Sequence, residues 1–80
     1  MKMKYRGDFK TLQLTLLRTG IEGEWRLGEN HNQYRANTGA VLNWWESTGT
    51  ITFQGPGAAA DDLKAAFLEK AVIVEVRSVK

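Results

Sequence analysis

Eighty residues with a formal charge of +2 and a pI near 9.2 make one small domain spanning 1–80. The chain has no cysteine, which excludes disulfide staples and thiolate metal sites, and no apolar run long enough to span a bilayer. The mild basicity permits nucleic-acid binding without requiring it.

The N-terminus, MKMKYRGDFK, is basic with no apolar segment behind it. It therefore lacks the pattern of a secretory signal, and a cytoplasmic location is expected. Met1–Arg6 alternates basic residues with Met and Tyr, as a short edge strand guarded by lysine would. It could equally be a basic arm on phosphates or a solvated terminus. Asp8 is placed to N-cap a helix, and Gly20 lies just past its end. Between them Phe9, Leu12, Leu16 and Leu17 fall at helical spacing. Leu12, Leu14 and Leu16 also alternate like a strand, but the caps favour a helix.

After a turn at 21–24, turn signals recur at Gly28, Gly39 and Gly49 with apolar or aromatic residues between them. That spacing predicts a four-stranded antiparallel meander. Tyr34 is expected on the buried face, with His31, Gln33 and Arg35 opposite. The most informative stretch is GAVLNWWESTGTITFQG, residues 39–55, a hairpin with arms Ala40–Glu46 and Thr50–Gln54 around Ser47-Thr48-Gly49. Alternation places Leu42, Trp44, Ile51 and Phe53 on one face. It places Val41, Asn43, Trp45, Thr50, Thr52 and Gln54 on the other. Gly55-Pro56-Gly57 ends the last arm, because proline cannot donate to a ladder.

Ala58–Lys70 reads as an alanine-rich helix, with Asp61 and Asp62 near its positive end and Lys70 near its negative end. Ala59, Leu63, Ala66 and Phe67 form its apolar stripe. Val72–Val79 reads as a last strand. The predicted fold is α+β: a curved antiparallel meander of four to five strands with two helices on one face. The second sheet face is then left open to a partner. The terminal strand or the lysine-rich first strand could also pair across a two-fold axis, giving a homodimer through edge strands.

The segment Val41–Gly55 and the alanine-rich helix after it resemble the TATA-binding-protein-like domains, including the N-terminal domain of bacterial ribonuclease HIII. Members run helix, antiparallel meander, helix, and their last hairpin carries a Ser/Thr-Gly turn and a closing Gln-Gly or Thr-Gly. The resemblance implies that the concave sheet face binds nucleic acid, or in some members protein. Thr50 stands where the family often has Lys or Arg after the turn glycine. A second resemblance is to HicA-type toxins, small ribonucleases. It rests on Leu16-Leu17, Gly20 and His31-Asn-Gln-Tyr34, and it implies a catalytic role for His31. Glu29-Asn30 stands where those toxins have Gly-Ser.

Trp45 is the candidate centre of a site, because parity puts an indole on an otherwise polar face. Base stacking on an aromatic contributes about 1–3 kcal/mol, and an exposed Trp serves equally well as a protein hot spot. The alternative is a twist or bulge that buries both indoles. Arg35, Gln33, Asn43, Thr52, Gln54 and Arg26 are the candidate neighbours, with Arg for phosphates and the amides and hydroxyls for base edges or peptide groups. One His and scattered carboxylates do not make a metal site, and Gly-Pro-Gly lacks the Lys-Ser/Thr of a phosphate loop. No cofactor, metal or catalytic constellation is therefore expected. The sequence reads as a non-enzymatic binding module for a duplex or RNA–DNA hybrid. The other readings are a protein-interaction factor, such as a phage or mobile-element inhibitor of host defence machinery, and a ribonuclease using His31.

Overall fold

A computed structural model of the chain describes residues 3–5, 7–71 and 74–75. The elements in chain order are β1 (Met3–Tyr5), α1 (Phe9–Arg18), β2 (Gly23–Leu27), β3 (Asn32–Ala36), β4 (Val41–Trp45), β5 (Thr50–Gln54), α2 (Ala59–Lys70) and β6 (Val74–Glu75). Five strands in the order β2-β3-β4-β5-β1 form an open antiparallel sheet, and the two-residue β6 is appended beyond β1. The fold is α+β, as the patterning predicts. Of the expected strand at 72–79, only 74–75 falls within the described residues. How its side chains divide between the faces lies outside them.

The first strand is not at an edge. Met3 and Lys4 pair with Ile51 and Thr50 on one side, while Lys4 and Tyr5 pair with Glu75 and Val74 on the other. The lysine pattern suggested an edge, but Met3 and Tyr5 are both buried and anchor the strand inside the sheet. Among the described strands, the outermost are β2 and β6.

The helix–strand ambiguity at 9–18 resolves as a helix, for the reason its caps gave. The Asp8 carboxylate accepts from the Thr11 N–H at 2.9 Å, and Gly20 turns the chain away at φ +78°. Leu12 and Leu16 are fully buried. Leu17, expected in the stripe, is 75 % exposed. It sits one residue, or about 100°, beyond Leu16, past the margin of the buried arc. Thr15 takes the inner position instead, and its hydroxyl donates to the Thr11 carbonyl at 2.9 Å, so no polar atom is stranded there.

The hairpin turn is one residue longer than expected, because Glu46 belongs to the turn rather than to the first arm. The N–H groups of Thr48 and Gly49 both donate to the Trp45 carbonyl, at 3.2 and 2.7 Å. Gly49 closes the turn at φ +79°, a left-handed conformation that costs a residue bearing a Cβ roughly 1–2 kcal/mol. In α2, Leu63 and Phe67 are buried, with Ala59 and Ala66 partly so, which matches the predicted stripe.

Both helices cover one face of the sheet. Their buried residues join Tyr34, Ala36, Leu42, Trp44 and Ile51 in one cluster, with Phe9, Trp25 and Phe53 packed against it. Trp44 is at its centre. Its indole N–H donates to the Tyr5 carbonyl at 3.3 Å, its ring meets Tyr5 edge-on at 5.5 Å, and it stacks on Phe9 at 5.9 Å. Tyr34 is buried as predicted and donates its hydroxyl to the Ile21 carbonyl at 2.7 Å. Burial pushes the Tyr5 and Tyr34 hydroxyls above their usual titration range. No described helix is long and apolar enough to cross a membrane.

Candidate functional site on the open sheet face

Register fixes what the uncovered face displays. Side chains alternate along each strand, and cross-strand partners share a face, so three rows run across the sheet. One row is Glu24–Arg35–Val41–Gln54. The next is Arg26–Gln33–Asn43–Thr52. In the third, Trp45 pairs with Thr50, which pairs with Lys4. The pairing of Asn32 with Trp44 brings His31, the residue before β3, opposite Trp45.

All seven sequence-predicted site residues, Trp45, Arg35, Gln33, Asn43, Thr52, Gln54 and Arg26, therefore lie on one face. Trp45 is outside the buried core and partly exposed, whereas Trp44 is 1 % exposed within it. Successive residues of one straight strand point to opposite sides, so the Trp-Trp pair is split between the core and the open face.

Sequence reasoning missed two features of this face. The first is a ring pair: the His31 imidazole stacks on the Trp45 indole, with centroids 4.6 Å apart and planes 15° from parallel. Strand parity alone placed His31 on this side of the sheet. The contact needed the register, which depends on the length of the turn at 37–40. The second is the burial of Asn43. It lies on the open side yet is only 4 % exposed, because the side chains around it close over it.

Asn43 is also the hub of a hydrogen-bond network. Its Oδ1 accepts from Gln33 Nε2 at 2.8 Å, and its Nδ2 donates to Thr52 Oγ1 and to Gln54 Oε1, each at 3.2 Å. Arg35 Nε reaches Gln33 Oε1 at 3.4 Å, a long contact. The Asn43 amide is thus committed within the protein, and its effect is to hold its neighbours in place. The groups turned to solvent are the Arg35 and Arg26 guanidiniums and the Thr52 and Gln54 side chains, all exposed. At the other end, Thr48 and Thr50 share a hydroxyl hydrogen bond of 2.8 Å, and Lys4 Nζ donates to the Thr48 carbonyl at 3.2 Å.

A cleft of about 390 Å³ opens beside this face between the turns at 28–31 and 46–49, lined by Glu29, His31, Glu46 and Ser47 among others. Among the described residues no three His, Cys, Asp or Glu side chains are grouped so as to hold a metal ion. Chemically, the face offers a stacked aromatic pair, two cationic forks and a rigid row of amides and hydroxyls. Comparisons with protein-family models, with curated proteins and with solved structures gave no match.

Proposed function

We propose that this chain is a binding module whose open sheet face receives a nucleic acid. The reading rests on one observation: the Trp45–His31 stack stands on a polar face, with Arg26 and Arg35 two strands or fewer away. The aromatic pair is a platform for an unpaired base or a base at a duplex end. The guanidiniums take phosphate oxygens, and Gln54 and Thr52 meet base or sugar edges. The TATA-binding-protein-like resemblance of Val41–Gly55 supports the reading, since it implies an open face that takes nucleic acid or, in some members, protein. Thr50, standing where that family often carries a cation, moves the phosphate contacts to Arg26 and Arg35.

Fluorescence anisotropy with a labelled duplex, an RNA–DNA hybrid and a single strand, at two salt concentrations, tests the reading. Trp45→Ala should weaken binding by about 5–150-fold, the range that loss of one stacked base gives. Arg35→Ala should weaken binding and flatten its salt dependence. Affinity unmoved by either substitution would remove the reading. No binding to any of the three, with a stoichiometric protein recovered by affinity capture after nuclease treatment, would replace it with the protein-interaction reading. Toxicity on expression that His31→Ala abolishes would replace it with the ribonuclease reading.

A further inference from the structure

Among the described residues the β2 strand is bonded to β3 on one side only, and the bonds that bracket this ladder fix which of its backbone groups face outward. Asn37 N–H donates to the Glu22 carbonyl at 2.8 Å, and Gly28 N–H donates to the His31 carbonyl at 3.0 Å. Hydrogen-bonded pairs alternate in an antiparallel ladder, so Glu24 and Arg26 turn their N–H and C=O groups towards β3. Gly23, Trp25 and Leu27 turn theirs to the free edge.

We infer that this edge is a homodimer interface, in which β2 pairs antiparallel with β2 of a second copy about a two-fold axis through Trp25. In that register the outward groups of Trp25 meet those of its own counterpart, and those of Gly23 meet Leu27 of the other copy. Every N–H and C=O on the edge is satisfied. Glu24 then lies opposite Arg26 of the second copy, and Arg26 opposite its Glu24, in the non-hydrogen-bonded positions where Cα atoms approach to about 4.5 Å. The neighbouring registers that keep the backbone pattern slide the axis to residue 24 or 26. They set Glu24 against Glu24 or Arg26 against Arg26, which is destabilising. The charge pattern therefore selects one register among those the backbone allows.

The apolar side fits the same register. Leu27 is 68 % exposed although it lies in a strand. Alternation places it on the helix-covered side with Trp25, where it would face Gly23 of the second copy. Beside Gly23 is a cleft lined by Leu17, Ile21 and Tyr34, and Leu17 is the most exposed large apolar residue among those described. Leu27 entering that cleft covers itself and Leu17 at once. Because the axis stands perpendicular to the sheet, the helices of both copies stay on one side. The two Trp45 faces then form one continuous surface.

Sedimentation equilibrium of the full chain tests this with a charge swap. Wild type should dimerise, and Glu24→Arg and Arg26→Glu should each weaken the dimer about tenfold or more, since each turns two opposite-charge pairs into like-charge pairs. An equimolar mixture of the two variants restores both pairs and should form a heterodimer of near wild-type affinity. That rescue is its own folding control, because misfolded chains would not recover on mixing. A wild-type chain that stays monomeric at millimolar concentration would overturn the inference. So would a dimer unmoved by the single reversals, or single losses that mixing fails to repair.

Discussion

Adjacent tryptophans with opposite fates give the sharpest test of the fold. Trp44→Ala removes a side chain that is 1 % exposed, together with an indole N–H bonded to the Tyr5 carbonyl and ring contacts to Tyr5 and Phe9. Large-to-small changes of this kind cost about 3–5 kcal/mol. A domain of this length has a total stability of roughly 4–12 kcal/mol, so Trp44→Ala removes a large fraction of it. Trp44→Phe keeps most of the ring but leaves the Tyr5 carbonyl unpaired, at about 1–3 kcal/mol. Trp45→Ala gives up one stacked contact with His31 at the sheet surface, about 0.5–1.5 kcal/mol. Urea unfolding followed by circular dichroism reads the difference. With a slope of about 1 kcal/mol per molar urea, Trp44→Ala should lower the midpoint by about 3–5 molar, and Trp45→Ala by about 0.5–1.5 molar. Equal losses at the two positions, or a larger loss at Trp45, would refute the division of the hairpin into a core face and an open face.

The remaining predictions concern the network, the turn and titration. Asn43→Ala should cost about 1 kcal/mol in the same urea assay, since its partners can turn to water, while loosening Gln33 and Gln54 in side-chain amide NMR spectra. Gly49→Ala should destabilise by roughly 1–2 kcal/mol, because its left-handed conformation closes the hairpin. The Asp8 carboxyl is held below its usual range, chiefly by the side-chain hydrogen bond with Thr11. A depressed folded value means that its contribution is present above the ordinary Asp range and is lost as pH falls through the folded value. The acid limb of a stability–pH curve should therefore shrink in Asp8→Asn, which still caps the helix. The Tyr5 and Tyr34 hydroxyls are raised by burial, so their contribution is intact below the ordinary tyrosine range and lost as pH climbs through their folded values. Tyr34→Phe should delay alkaline unfolding followed by phenolate absorbance.

What could be read in advance is what two-residue periodicity and local capping control. The faces of β4 and β5, the Asp8 cap, the stripe of α2 and the burial of Tyr34 each follow from a few neighbouring residues. So does the consecutive order of β2, β3, β4 and β5, from the recurring turn glycines, but the place of β1 does not. Nothing within Met3–Tyr5 encodes that it is inserted between β5 and β6, because that depends on Met3 and Tyr5 finding the core made by residues some forty positions away. The stacking of His31 on Trp45 was hidden for a related reason. It depends on the register between β3 and β4, and a slip of one residue would have sent His31 to the other face. Leu17 illustrates the limit of helical spacing, which marks the direction of a buried arc but leaves its margin to whichever neighbours the fold supplies.

The buried asparagine orders the polar rows beside Trp45, while His31 stacks on the indole itself. An indole on an open strand ordinarily has several rotamers, and a ligand that selects one must offset the lost freedom. Here His31 lies against one side of the ring, and the Asn43 network ties down Gln33 and Thr52 in the next row and Gln54 in the row beyond it. Asn43 spends its amide on three neighbours and is closed off from solvent, which is an arrangement suited to holding a surface rigid rather than to reading a ligand directly. Asn43→Ala should therefore weaken the proposed nucleic-acid binding at the Trp45 face even though Asn43 itself is only 4 % exposed. Binding that persists at full strength in that variant would show that the platform does not depend on the network beneath it.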